Sequence, residues 1–251
     1  MRQMNLDSNK FEAFLRCLSL MKDICNDVDI RGGKIRQRSN DHSVIFELDL
    51  TSLISDMNIP ITKLKEKLEL FKCFVGNDVD VIDDEKYSIA DQISLISFKR
   101  PLLTLIDNQY MPDEEFNNLF TLDENDVILS YNIPTMVSDR MRTITQGFNV
   151  NNVVVTFNGE TAEITAKTIS KDQFAKFVGD IVVEDEKNCS SNLIVTPFII
   201  DHDGDMSFSM YEVRDGHSIN KFATSIGDVP INIYGRSSLV ETENEDEEDE
   251  A

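Results

Sequence analysis

The chain has 251 residues, 46 acidic against 24 basic, for a net charge of −22, and 41% of it is apolar, enough for one large core or two ordinary ones. Four cysteines without a CxxC pair and three scattered histidines argue against a zinc site and for reduced structural thiols in a cytoplasmic protein. With no charged-then-apolar leader and no run of 18 apolar residues, the expectation is a soluble protein without a membrane partner.

The first predicted element is a helix over 11–24, with Phe11, Phe14, Leu15, Leu18 and Met21 on one face and Arg16 pointing away from it. VDIRGGKIRQ at 28–37 follows as a hairpin, its turn at Gly32-Gly33, a pair that supplies the positive φ angles of a two-residue loop. SVIFELDL (43–50) alternates with period two and predicts a strand. A second helix is expected over 60–72, with Pro60 in its first turn and Ile61, Leu64, Leu68 and Phe71 inward. On that helix Lys63 points outward, while Lys65 and Lys67 flank the apolar stripe. Strand patterns come next at 78–82, 86–90 and 93–98.

From Lys99 to about Asn125 the periodicity lapses, and Pro101, Pro112, Asn117-Asn118 and the acids of MPDEEF mark a long connector. A third helix is predicted over 133–148, with Val137, Met141, Ile144 and Phe148 inward, Arg142 opposite and Arg140 on the flank. VVVTFNGETAEI (153–164) is a second hairpin turning on Asn158-Gly159. QFAKFVGDIVV (173–183) fits either helix or strand; its place relative to SVIFELDL favours strand. A short fourth helix is expected within 196–205, then strands at 206–213, 218–224 and 229–235. The last eleven residues, ETENEDEEDEA, hold eight carboxylates; without them the net charge is still −14. Such a segment repels itself and buries no apolar surface, so the expectation is a disordered tail.

A helix-plus-hairpin unit therefore recurs about half a chain apart, with cations gathered on helices of an acidic body. That arrangement fits a protein that surrounds a polyanion and repels it elsewhere. Catalytic patterns do not hold. Asp201-His202-Asp203-Gly204-Asp205 has its Gly at the wrong position for an EF-hand and no Glu at the twelfth. Gly32-Gly33 lacks the Gly-Lys-Ser/Thr of a phosphate loop. No enzyme, cofactor or metal is expected.

The element order, with VDIRGGKIRQRS leading into SVIFELDL, KYSIADQISLISF before the connector, and GDVPINIY at 227–234, resembles the sliding clamp family of DNA polymerase processivity factors. The likeness is greatest to phage clamps of the T-even type and extends to proliferating cell nuclear antigen. It implies an α+β fold of duplicated clamp domains, 1–99 and 126–240, joined by a connector at 100–125 and followed by the tail at 241–251. It also implies a homotrimeric ring with helices lining the hole and antiparallel sheets outside. Such a ring encircles double-stranded DNA without reading sequence, tethers a DNA polymerase and binds a clamp loader. The resemblance places Arg16, Lys63, Lys65, Lys67, Arg140 and Arg142 on the DNA-facing lining, with Lys10 and Lys22 as further candidates. It puts a partner-peptide pocket at Val44, Phe46, Leu102, Leu103 and Pro230, and the subunit seam at Ile93, Leu95, Phe98, Phe177 and Ile181. A phage origin would mean work in the host cytoplasm. The rival reading is a single-stranded DNA-binding protein with a partner-recruiting acidic tail. It wants exposed aromatics beside basic residues on a sheet, whereas the Phe and Tyr here fall mostly at predicted core positions.

Overall fold

Helix α1 (Ser8–Met21) begins where Asp7 Oδ1 accepts the Lys10 N–H at 2.8 Å, capping a first turn whose amide groups have no partner within the helix. In this computed structural model the described residues are 2–22, 24–39, 44–101, 110–120, 122, 126–148, 152–158, 161–167, 174–180, 189–193, 200–213 and 217–241. They fall into two compact units. The first comprises Met1–Thr121, Asp201–Asp203 and Ala223–Ile233, and the second takes the rest.

In the first unit, β1 (Arg2–Leu6) precedes α1, and the hairpin β2 (Val28–Arg31) and β3 (Lys34–Arg38) follows it. Gly32 and Gly33 turn this hairpin at φ 58° and 75°. A Cβ on Gly33 would meet the Ile54 carbonyl oxygen at 2.9 Å, so the site needs glycine for space as well as for angle. Then come β4 (Val44–Asp49), the single helical turn α2 (Thr51–Ile54), β5 (Ile59–Ile61), α3 (Leu64–Phe71), β6 (Val79–Asp83), β7 (Lys86–Ala90), β8 (Leu95–Lys99) and α4 (Asp113–Phe120). One antiparallel sheet runs β1-β6-β7-β8, and another runs β5-β2-β3-β4. Phe11, Phe14, Leu18, Leu64, Leu68, Phe71 and Phe74 are buried, with Phe11 and Phe74 meeting edge to face at 6.4 Å. Full burial of each such side chain stabilises by about 1.5–3 kcal/mol.

Pro60 does not open the second helix. The tripeptide Ile59-Pro60-Ile61 is extended at the sheet edge against Val28–Ile30, where a missing amide is tolerated. The helix starts only after Lys63, and Ile61 is buried from the strand. The connector also differs from its aperiodic reading, because Asp113–Phe120 is helical.

In the second unit, β9 (Val127–Ile133) precedes α5 (Thr135–Phe148), followed by β10 (Asn152–Asn158), β11 (Thr161–Lys167), β12 (Phe174–Asp180), β13 (Cys189–Leu193), β14 (Asp203–Val213), β15 (His217–Ile226) and β16 (Val229–Glu241). Asp203 and Ala223–Ile233, at the start of β14 and in β15 and β16, count with the first unit. One sheet path runs β12-β11-β10-β13, and β9 pairs with β14. Asp205 accepts the Thr135 N–H at 2.8 Å and its hydroxyl at 2.9 Å at the start of α5. The segment 173–183 is a strand where described. The fourth helix is not present among the described residues: Ile200, Asp201 and His202 are irregular and Asp203 already belongs to β14, while 196–199 lie outside them. Gly159 of the second turn also lies outside them.

Candidate nucleic-acid interface

Helices α1 and α3 pack against one another in the first unit, and both present cations on their outer faces. Lys10, Lys22, Lys63 and Lys65 are exposed. Lys63 stands just ahead of α3 with φ 53° and ψ 54°, its backbone N–H donating to Asp27 Oδ1 at 2.8 Å. Its ammonium is 3.5 Å from Glu66.

Arg16 and Lys67 are held by other segments of the first unit. Arg16 forms a fork on Asp203, with Nη2 at 2.8 Å and Nη1 at 3.0 Å, and reaches Asp201 at 3.1 Å. Asp203 also accepts the Gly227 N–H at 2.8 Å. Hydrogen bonding from Arg16, then from Gly227, holds the Asp203 carboxyl below the usual range. One guanidinium facing two carboxylates leaves a local charge of minus one, so Arg16 ties chain segments together and offers phosphate little. Lys67 is half-buried, 5.2 Å from the Tyr87 and Phe98 ring centroids, and donates to the Thr62 hydroxyl at 3.2 Å. Burial lowers its pKa from the ordinary lysine value. On α5, Arg140 is exposed, whereas Arg142 pairs with Asp139 at 2.7 Å.

Val44 and Phe46 lie in the core at 1% and 0% exposure, because alternation along β4 turns them inward and leaves Ile45, Glu47 and Asp49 on the other face. Neither therefore forms an accessible pocket wall. Pro230 is exposed, and Leu102 and Leu103 lie outside the described residues. At the predicted seam, β8 is the last strand of its sheet; its first residue Leu95 is 62% exposed, and Ile93, in the turn just before the strand, is 92% exposed. Phe98 is turned the other way, stacked on Tyr87 at 4.9 Å and edge-on to Phe71 at 5.6 Å. β12 is likewise an end strand, with Phe177 paired in register to Ile164; Ile181 lies outside the described residues.

No family profile and no curated relative matches the chain. Solved structures do. A PCNA2–PCNA3 complex from Sulfolobus tokodaii is similar at TM-score 0.65 and 10% identity, over 94% of this chain and 99% of that one. Proliferating cellular nuclear antigen from Entamoeba histolytica gives 0.64 and 10%, over 94% and 98%. The A. fulgidus PCNA solved with the C-terminal region of FEN-1 gives 0.62 and 9%, over 97% and 100%. The fold is that of the sliding clamps. This clamp fold embraces both copies of the helix-plus-hairpin unit, α1-β2-β3 and α5-β10-β11. Sequence spacing missed the Arg16 partners, since Asp201 and Asp203 stand 185 and 187 positions away. It also missed α4, although Pro112 followed by Asp113, Glu114 and Glu115 is a helix-start signal.

Proposed function

We propose that this chain is a sliding clamp. Copies close head to tail into a homotrimeric ring around duplex DNA, tether a DNA polymerase and are placed on DNA by a clamp loader. The observation that carries the reading is the likeness along nearly the whole chain to clamp subunits, one of them solved in a PCNA–PCNA complex. Two end strands support it. β8 exposes Leu95, with Ile93 exposed just ahead of it, and bare apolar edges of this kind invite pairing with another chain, so closure of β8 on the neighbour's β12 covers both. The exposed cations Lys10, Lys22, Lys63, Lys65 and Arg140 then form the DNA-facing set, with Arg142 beside them and Arg16 and Lys67 as supports. The domains follow the boundaries 1–99 and 126–240 across the connector at 100–125. Pro230, with Leu102 and Leu103, edges the partner-peptide pocket. The protein acts as a scaffold without catalysis or cofactor, in the host cytoplasm if the T-even resemblance extends to its origin.

Native mass and topology test this. Sedimentation equilibrium is expected to give three times the 28.6 kDa chain mass. Protein loaded on nicked circular DNA should survive a salt wash and be lost when the circle is cut. A monomer, or equal retention on circles and cut DNA, overturns the proposal. Tight binding confined to single strands would return the single-strand reading.

A further inference from the structure

Strand β3 presents Lys34, Arg36 and Arg38 on the face away from the core, where α4 and the residues just before it sit. Tyr110 bridges to Gln37, and the Met111 N–H donates to the Arg36 carbonyl at 2.9 Å. Arg31 lies over the Tyr110 ring and Arg36 over the Phe116 ring, each 4.1 Å from the centroid. Arg36 pairs with Asp113, and Arg38 with Glu115.

We propose that α4 is a releasable cover, latched by charge onto β3, that gates the outer face of the first unit's sheet. The seat is built without it. Glu47 holds Arg36 at 2.7 Å and is itself steadied by Asn232 at 3.2 Å; Asp29 holds Arg31 at 2.7 Å, and Asp49 lies 3.5 Å from Lys34. Lifting α4 therefore strands no buried charge, which is the usual reason such contacts cannot open. Arg38 differs: among the described residues its ion-pair partner is Glu115, so this pair serves the latch alone. The cover is also lightly anchored. Met111 and Phe116 are buried, but Asp113 is 80% exposed and Glu114, Asn117 and Asn118 face water. An eight-residue helix does not persist alone in water, so α4 unravels when it leaves its seat. With α4 down, Arg36 keeps only 9% of its side chain exposed; with α4 off, the arginine ridge is open, and rising salt favours the open form.

Hydrogen exchange on the full chain, without DNA, tests the cover separately from the clamp reading. In Arg38→Glu, attraction to Glu115 becomes repulsion, and the amides of residues 116–120 should exchange about tenfold faster. β3 and β4 should stay protected. Glu115→Lys should loosen the same amides, and the double swap Arg38→Glu with Glu115→Arg should restore the parent rate. In the parent, raising NaCl from roughly 50 to roughly 500 mM should accelerate α4 alone. Unchanged exchange in both single variants overturns the latch. Acceleration spreading through β3 and β4 overturns the cover, because α4 would then be part of the unit's core.

Discussion

Lys63 occupies the left-handed region with a β-carbon, a conformation that costs an ordinary residue about 1–2 kcal/mol and glycine almost nothing. Its backbone is fixed there by Asp27, and the Leu64 N–H donates to the Asn26 carbonyl at 2.8 Å. Lys63→Gly should therefore melt no lower than the parent while holding DNA more weakly at low salt, and Lys63→Arg should match the parent in both. A glycine variant that melts lower, or that holds DNA equally well, refutes this pairing of strain with charge. Asp203 makes a different residue-scale prediction. Its folded pKa is depressed, so its contribution is present above the ordinary carboxylate value of about 4 and is lost as pH falls through the folded value. The Arg16 and Asp203 side chains are 40% and 47% exposed, so Asp203→Asn should cost no more than about 1 kcal/mol at pH 7. Urea melts should show that gap narrowing below about pH 4; an unchanged gap at pH 3 would remove the Arg16 pairing as its source.

Among the elements, β8 carries the seam prediction. Ile93→Glu with Leu95→Glu should leave the monomer's stability within about 0.5 kcal/mol, since neither side chain is buried, yet shift sedimentation from trimer toward monomer. An unchanged mass would mean that β8 is not the seam. Phe98→Glu should instead unfold the α3 side of the unit, because its ring packs on Phe71 and Tyr87. Elements with a clean period were legible in the sequence: α1 from its apolar stripe, β4 from strict alternation, the β2–β3 turn from two adjacent glycines. β1 escaped because four of its five residues are at least partly exposed, leaving no alternation to detect. β5 was absorbed into a helix because Ile-Pro-Ile satisfies the apolar positions of either element, and only pairing with β2 decides between them. Helical period put Lys65 and Arg140 on the flanks of their apolar stripes, and both are exposed, whereas Arg142, expected opposite the stripe, is half-buried and paired with Asp139. Engagement of Arg16 and Lys67 did not follow from period, since their carboxylate and aromatic partners come from segments that only the tertiary fold brings near.

For the whole molecule the decisive quantity is where cations lie on a body of net charge −22. DNA held by encirclement needs only weak phosphate interactions, but those interactions set how retention varies with salt. Reversing Lys65 and Arg140 to Glu touches exposed side chains on two helices, α3 and α5, and spares the Arg16 and Lys67 supports. Folding and assembly should be normal. For every phosphate that these helices no longer neutralise, the dependence of log K on log salt should flatten by about 0.9. The deficit should be largest at low salt, where repulsion between glutamates and phosphates is least screened. Lys86→Glu, an exposed charge on strand β7, alters net charge by the same two units as Lys65→Glu alone, and should leave retention nearly unchanged where Lys65→Glu does not. Equal losses from the helix and strand reversals would show that only the overall charge matters. In that case these helices do not face the duplex.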